Sequence, residues 1–179
     1  MKIRLSKSEM LERRRLAAGL EPLRADCRIE YTDGIDVDRL LEQDLRARYV
    51  RLLDTADESC LAPENIADVR SETCGEGGMR IVVPDNCRRV LALEVEDWQR
   101  SVPVQGAEHY ERVWGKQYNG YVAATWLVPV AVRGPDGCVY AWPAGRVKSL
   151  RVVTDPGEEY YVLDESGLKY LLEDGKGDT

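Results

Sequence analysis

One imidazole bounds the chemistry available to this chain. His109 is the only histidine among 179 residues, so a metal site would need carboxylates or thiols for nearly every ligand. A Ser-His-Asp or Cys-His arrangement would have to pass through that same residue. Its neighbours are Glu108, Tyr110 and Glu111, a setting that suits a surface or packing histidine. Glu94, Glu96, Asp97 and Glu111 are the remaining acid–base candidates. Glu94 and Glu96 alternate with Leu93 and Val95, and the wet face of a half-buried strand explains them without catalysis. There is no G-x-S-x-G. Gly75-Glu76-Gly77-Gly78 has the outline of a phosphate loop, but Arg80 stands where G-x-G-x-x-G needs its last glycine, and no lysine followed by Ser or Thr completes a P-loop. These residues are read instead as a flexible joint.

The thiols add little. Cys27, Cys60, Cys74, Cys87 and Cys138 are odd in number, widely spaced and lack a C-x-x-C pair, which argues against a disulfide framework and against a zinc knot. Trp98, Trp114, Trp126 and Trp142 can stack bases or sugars, but Trp126 and Trp142 fall in strand-like segments and are expected in the core. The chain is accordingly expected to have no catalytic residues, no metal and no cofactor.

The framework that carries these residues changes period part-way along. Ser6 and Glu9 have the S-x-x-E spacing of a capping box, and Gly19 suits a left-handed stop, so a helix is predicted over about 7–18. A second helix is predicted after Gly34 with Asp36 as its cap. Val37, Leu40, Leu41, Leu45, Tyr49, Leu52 and Leu53 recur in it at three- and four-residue steps, as one buried stripe, and Pro63 closes the helical part. Beyond 71–78 the period is two. RIVVPDNCRRVLALEVEDW at 80–98 reads as strand, Pro-Asp-Asn turn, strand, and further strands are predicted at about 99–104, 122–132, 137–142, 147–154 and 159–163. Gly134-Pro135-Asp136-Gly137 supplies the clearest hairpin turn. Tyr110, Val113, Trp114 and Tyr118 lie at helical spacing at about 105–120, which reads as a short helix or an ordered arm. The expected fold class is α+β, with two main N-terminal helices packed with a C-terminal antiparallel β-sheet or small sandwich. A helical segment at 1–70 and a β region at 79–179 would together form one compact unit.

A chain of this length can bury about 70% of its extended surface, and 44% hydrophobic against 32% charged residues is a globular composition. No apolar run approaches the roughly 20 residues of a spanning helix. MKIRLSKSEMLERRR lacks the apolar core of a secretory signal, so a cytoplasmic location is expected. The net charge of −7 is uneven: residues 1–60 carry 12 basic and 13 acidic groups, residues 61–153 carry 11 and 11, and residues 154–179 carry 2 and 8. That balance disfavours sequence-specific nucleic-acid binding. Arg13, Arg14 and Arg15 form a short basic cluster, read as a solvated helix face. Phe is absent while Trp numbers 4 and Tyr 9, so the aromatic contacts fall to side chains with a polar handle.

Helices at the start, then RIVVPDNCRRVLALEVEDWQRSV, a polar arm, and a VPVAV strand followed by VYAWP form an order that resembles the head-completion or adaptor proteins of tailed phages. The matching pieces lie mainly within residues 40–155. The resemblance implies a small non-enzymatic subunit of the phage neck, encoded by a bacterial prophage, that joins portal to tail. Portal and tail proteins would be its partners, with a ring of its own copies on assembly. It would reside in the host cytoplasm and then in the virion, and it would touch no membrane. No catalytic residues come with the resemblance. The segments expected to dock are helix one with Arg13, Arg14 and Arg15, or the arm with Tyr110, Trp114 and Tyr118. A generic intracellular protein-interaction module would show the same pattern. A hydrolase using Glu94, Glu96, Asp97 and Glu111 is the remaining alternative.

Overall fold

The computed structural model describes residues 1–20 and 36–173. Cys27 and Gly34 lie outside the described residues. In chain order the elements are β1 (Ile3–Ser6), α1 (Lys7–Ala17), α2 (Val37–Thr55), β2 (Glu64–Ile66), β3 (Ser71–Cys74), β4 (Gly78–Ile81), β5 (Cys87–Val95), β6 (Val102–Gln105), α3 (Tyr110–Gln117), β7 (Val130–Arg133), β8 (Val139–Trp142), β9 (Val147–Thr154), β10 (Tyr160–Leu163) and α4 (Glu165–Leu172). The class is α+β. The helices are not all N-terminal, since α3 and α4 follow the first sixty residues. The chain divides into two compact units, one of Met1–Ala62 with Asp155–Thr179 and the other of Pro63–Thr154.

The first unit joins segments far apart in sequence. β1 pairs antiparallel with β10, Ile3 opposite Leu163 and Ser6 opposite Tyr160. α1 begins where the spacing predicted. The Glu9 amide donates to Ser6 Oγ at 3.3 Å and the Ser6 amide donates to Glu9 Oε2 at 2.8 Å, a closed capping box. Asp36 caps α2 by accepting the Arg39 amide at 3.1 Å. Leu45, Tyr49, Leu52 and Leu53 are buried along one side of α2, whereas Leu40 is 54% exposed, so the buried stripe is shorter than its apolar pattern. Tyr49 clips α2 to β10: its hydroxyl accepts the Val162 amide at 3.0 Å and donates to the Val162 carbonyl at 3.1 Å. Met10, Leu11, Tyr161, Leu163, Leu168 and Leu171 share this unit's interior. In α4, a Cβ on Gly167 would come within 2.1 Å of the Cys60 carbonyl oxygen, so glycine lets the helix approach the 3-10 turn at Glu58–Cys60.

The second unit is one curled sheet in the order β2-β9-β5-β6-β7-β8-β4-β3, antiparallel apart from the parallel β6–β7 pair. Residues from strands far apart in that order meet in a single cluster. Leu93 and Val95 of β5 and Leu150 and Val152 of β9 join Met79, Ile81, Val139 and Ala141 from the other half of the sheet. The two-residue period puts these side chains on one face, and curling closes that face on itself. Trp98 completes the cluster, its indole donating to the Pro143 carbonyl at 3.1 Å.

Three expectations are corrected in this unit. Residues 71–78 are a hairpin rather than a flexible joint: β3 and β4 pair from Ser71 opposite Ile81 to Cys74 opposite Gly78, with Glu76 and Gly77 in the left-handed region at the turn (φ 58° and 67°). The strand predicted over 122–132 is only Val130–Arg133, because the residues before it form hydrogen-bonded turns. Trp126 accordingly lies at the surface, 63% exposed, while Trp142 in β8 is buried. The Gly134–Gly137 hairpin tip forms as expected, with the Gly134 amide donating to the Cys138 carbonyl at 2.8 Å.

Candidate docking surface

α3 is held to the curled sheet by aromatic packing. The Tyr110 ring meets that of Tyr140 edge-on at 5.0 Å between centroids, and Trp114 meets Tyr140 at 5.7 Å and Trp142 at 5.3 Å, both edge-on. These are favourable quadrupole arrangements. Val113 is buried with Val132 and Trp142 on the same side. Burial, helped by Tyr140, pushes the Tyr110 phenol up to about 12. Below the helix, a Cβ on Gly78 would lie 2.3 Å from Trp142 Nε1, so glycine is what lets β4 run beneath the indole.

The chain then leaves α3 as a looped arm. Buried Gln117 ties the middle of the arm to the helix: its amide nitrogen donates to the Val113 carbonyl and its amide oxygen accepts the Ala124 amide, each at 2.9 Å. Asn119 shapes the first turn, its side chain accepting the Tyr121 amide at 3.0 Å and its carbonyl accepting the Ala123 amide at 2.8 Å. Thr125 and Val128 exchange backbone hydrogen bonds at 3.0 and 3.3 Å to close the second. These turns satisfy much of the arm's backbone locally, but the side chains are not covered. Tyr118, Tyr121, Val122, Trp126, Leu127 and Val128 are all exposed, Tyr121 almost completely at 99%. They make up half of the large hydrophobic side chains exposed among the described residues. Scattered apolar residues are ordinary on a surface, whereas a contiguous group marks a contact site. Arg112 and Lys116 on α3 border the same depression, of about 280 Å³, as Val122 and Val128.

The residues singled out in the sequence divide between several places. Tyr118 stands on the arm and accepts a hydrogen bond from the Trp114 indole at 3.1 Å. Tyr110 and Trp114 are half-buried against the sheet and position the arm. Arg13 is exposed, but Arg14 and Arg15 are buried, at 4% and 7%, which corrects the solvated-face reading. Arg14 donates to the Leu172 carbonyl at 3.0 Å and faces Asp44 at 3.6 Å, and Arg15 pairs with Asp38. These two residues tie α1 to α2 and α4, and Arg13 alone of the three is on the surface. Tyr121, Val122, Trp126, Leu127 and Val128 are the surface residues that the strand assignment missed. Their signal was Asn119-Gly120, a turn pair ahead of an apolar run without alternation.

Of the candidate acid–base groups, Asp97 and Glu111 are exposed, and the others stand in separate surface pairs. Lys148 donates to Glu94 at 2.5 Å and, with Ser149, holds its carboxyl below the usual carboxylate range. Glu96 faces Arg146 at 3.7 Å, and His109 faces Glu108 at 3.6 Å. Burial raises the thiols of Cys74, Cys87 and Cys138, which lowers their thiolate fraction and hence their nucleophilicity at neutral pH. Among the described residues no three His, Cys, Asp or Glu side chains gather in a way that could hold a metal ion, and no helix is long and apolar enough to cross a membrane. Comparison of the sequence with known protein families and with characterised proteins finds no match.

Proposed function

We propose that this protein is a non-enzymatic structural subunit of a tailed-phage neck, joining portal to tail, and that it works through the arm at residues 118–128. The observation that carries the proposal is the combination in that arm of a hydrogen-bonded backbone with uncovered aromatic and aliphatic side chains. Such a segment is already shaped for a protein partner, so little ordering entropy opposes docking. Apolar side chains of this kind, Tyr and Trp above all, are the usual anchors of protein interfaces. The order of helices, 80–102 segment, arm and paired VPVAV and VYAWP strands supports the assignment of that partner to a phage neck. The acidic excess fits as well, because a net negative surface repels DNA in transit.

Deleting the gene from an inducible prophage tests the assignment. Electron microscopy of the lysate should show filled or leaking heads alongside separate tails. Intact infectious particles from the deletion strain would refute the neck role and leave the arm as the docking segment of a general interaction module.

A further inference from the structure

We infer that the partner segment received beside the arm is an acidic polypeptide whose carboxylates flank aliphatic side chains, and that it lies in a trough along β6 and β7. The inference rests on the proposal that the arm is a docking element, and it names the chemistry of what docks. Two depressions adjoin the arm. One, of about 280 Å³, is lined by Arg112 and Lys116 together with Val122 and Val128, and the other, of about 370 Å³, by Arg100, Val102 and Pro103. Gln105, Pro129 and Val130 line both. The two are therefore parts of one trough, with cations in each part and shared aliphatic residues between them. The Gln99 amide donates to the Trp126 carbonyl at 3.4 Å, which brings the backbone next to Arg100 against the arm's second turn.

The cations of the trough are uncompensated. Arg100, Arg112 and Lys116 are exposed, and their side chains make no ion pair or hydrogen bond with a described residue. Arg70, Arg80, Arg146 and Lys148 of the same unit each face a carboxylate, at 2.7, 2.9, 3.7 and 2.5 Å. The Pro63–Thr154 unit holds 11 basic and 11 acidic residues, so carboxylates are not in short supply, yet none lines the trough. Arg112 and Lys116 stand four residues apart on α3, where like charges repel. A partner's carboxylate between them relieves that repulsion, and a complementary rim fixes which segment enters. The lining also selects the class of polyanion. A nucleic acid needs aromatic faces for its bases, but no Tyr or Trp lines the trough, whose apolar surface is valine, alanine and proline.

The test uses the full chain to select from a yeast-displayed library of random short peptides, and synthetic copies of the recovered sequences are titrated by fluorescence anisotropy. The recovered peptides should carry Asp or Glu on both sides of Val, Leu or Ile. Arg112→Glu with Lys116→Glu should weaken their binding about tenfold or more, and added salt should slow their association. The same peptides with Lys in place of each acid should prefer that double variant to the parent, with circular dichroism and a thermal melt confirming that both proteins are folded. An empty selection, recovered sequences without an acidic excess, or acidic peptides indifferent to the charge reversal would each overturn the inference. So would oligodeoxythymidylate or phosphatidylserine vesicles that bind the parent and lose it on charge reversal while the peptides do not. The neck assignment fails separately, through the particle phenotype of the deletion strain, and that result does not depend on the peptides.

Discussion

Gly78 shows how one absent atom can fix a packing arrangement. A Cβ there would meet the buried Trp142 indole at 2.3–2.7 Å, and the indole is itself wedged against Trp114. Gly78→Ala should therefore destabilise by about 1–3 kcal/mol, the usual cost of overpacking. Gly115 lies in α3, where an added Cβ would meet nothing within 4 Å, and Gly115→Ala should stabilise by roughly 0.5–1 kcal/mol through helix propensity. Urea denaturation of the two variants measures both signs. Tyr49 gives a pH dependence. Burial pushes its phenol up to about 12 from an ordinary value of 10.0, so the folded state keeps a proton that the unfolded state releases. That contribution is fully present below pH 10 and disappears as pH rises towards 12. Tyr49→Phe should show a shallower loss across that window. At neutral pH it should cost about 1–3 kcal/mol, because Val162 loses its partner. The capping residues were legible in the sequence because Ser6 and Glu9 act within one turn. Gly78 and the buried Arg14 and Arg15 were not, since Trp142, Asp38, Asp44 and Leu172 reach them only through tertiary folding.

Strands with a clean alternation were readable, and β5, β8, β9 and β10 fall close to where the pattern put them. α4 was missed because its eight residues include Gly167, a poor helix former that is required by the nearby Cys60 carbonyl. β1 was missed because its four residues gain their meaning only from pairing with β10. The error over 122–129 has a different source: an apolar run reads as buried strand, whereas Asn119, Gln117 and Thr125 satisfy its backbone in turns and leave its side chains outside. β7 and β8 provide a direct check of sheet orientation. Val139 is fully buried in the core cluster, while Val130 is half-buried and lines the surface depression. Val139→Asp should cost several kcal/mol, as an unpaired carboxylate in an apolar interior does. Val130→Asp should be far milder. A thermal melt that lowers both equally would contradict the assigned facing of these strands.

The division into two units was not legible, because the N-terminal and C-terminal segments are joined by tertiary contacts, among them the β1–β10 pairing, the Tyr49 clip to Val162 and the packing of α4 with α1 and α2. The scarcity of imidazole was legible directly, since His109 is the one histidine in the sequence. What the fold adds is an arm whose apolar side chains are exposed beside a curled sheet, the segment that the proposed function takes as its docking element. The most direct measurement is complementation of the deletion prophage with a chain carrying Tyr121→Ser, Val122→Ser and Trp126→Ser. These side chains are exposed, so the variant should fold and melt as the parent does, with changes within about 0.5 kcal/mol for each position. The account predicts that the parent gene restores infectious particles while the arm variant yields separate heads and tails. Full particle yield from a stably folded arm variant would contradict it.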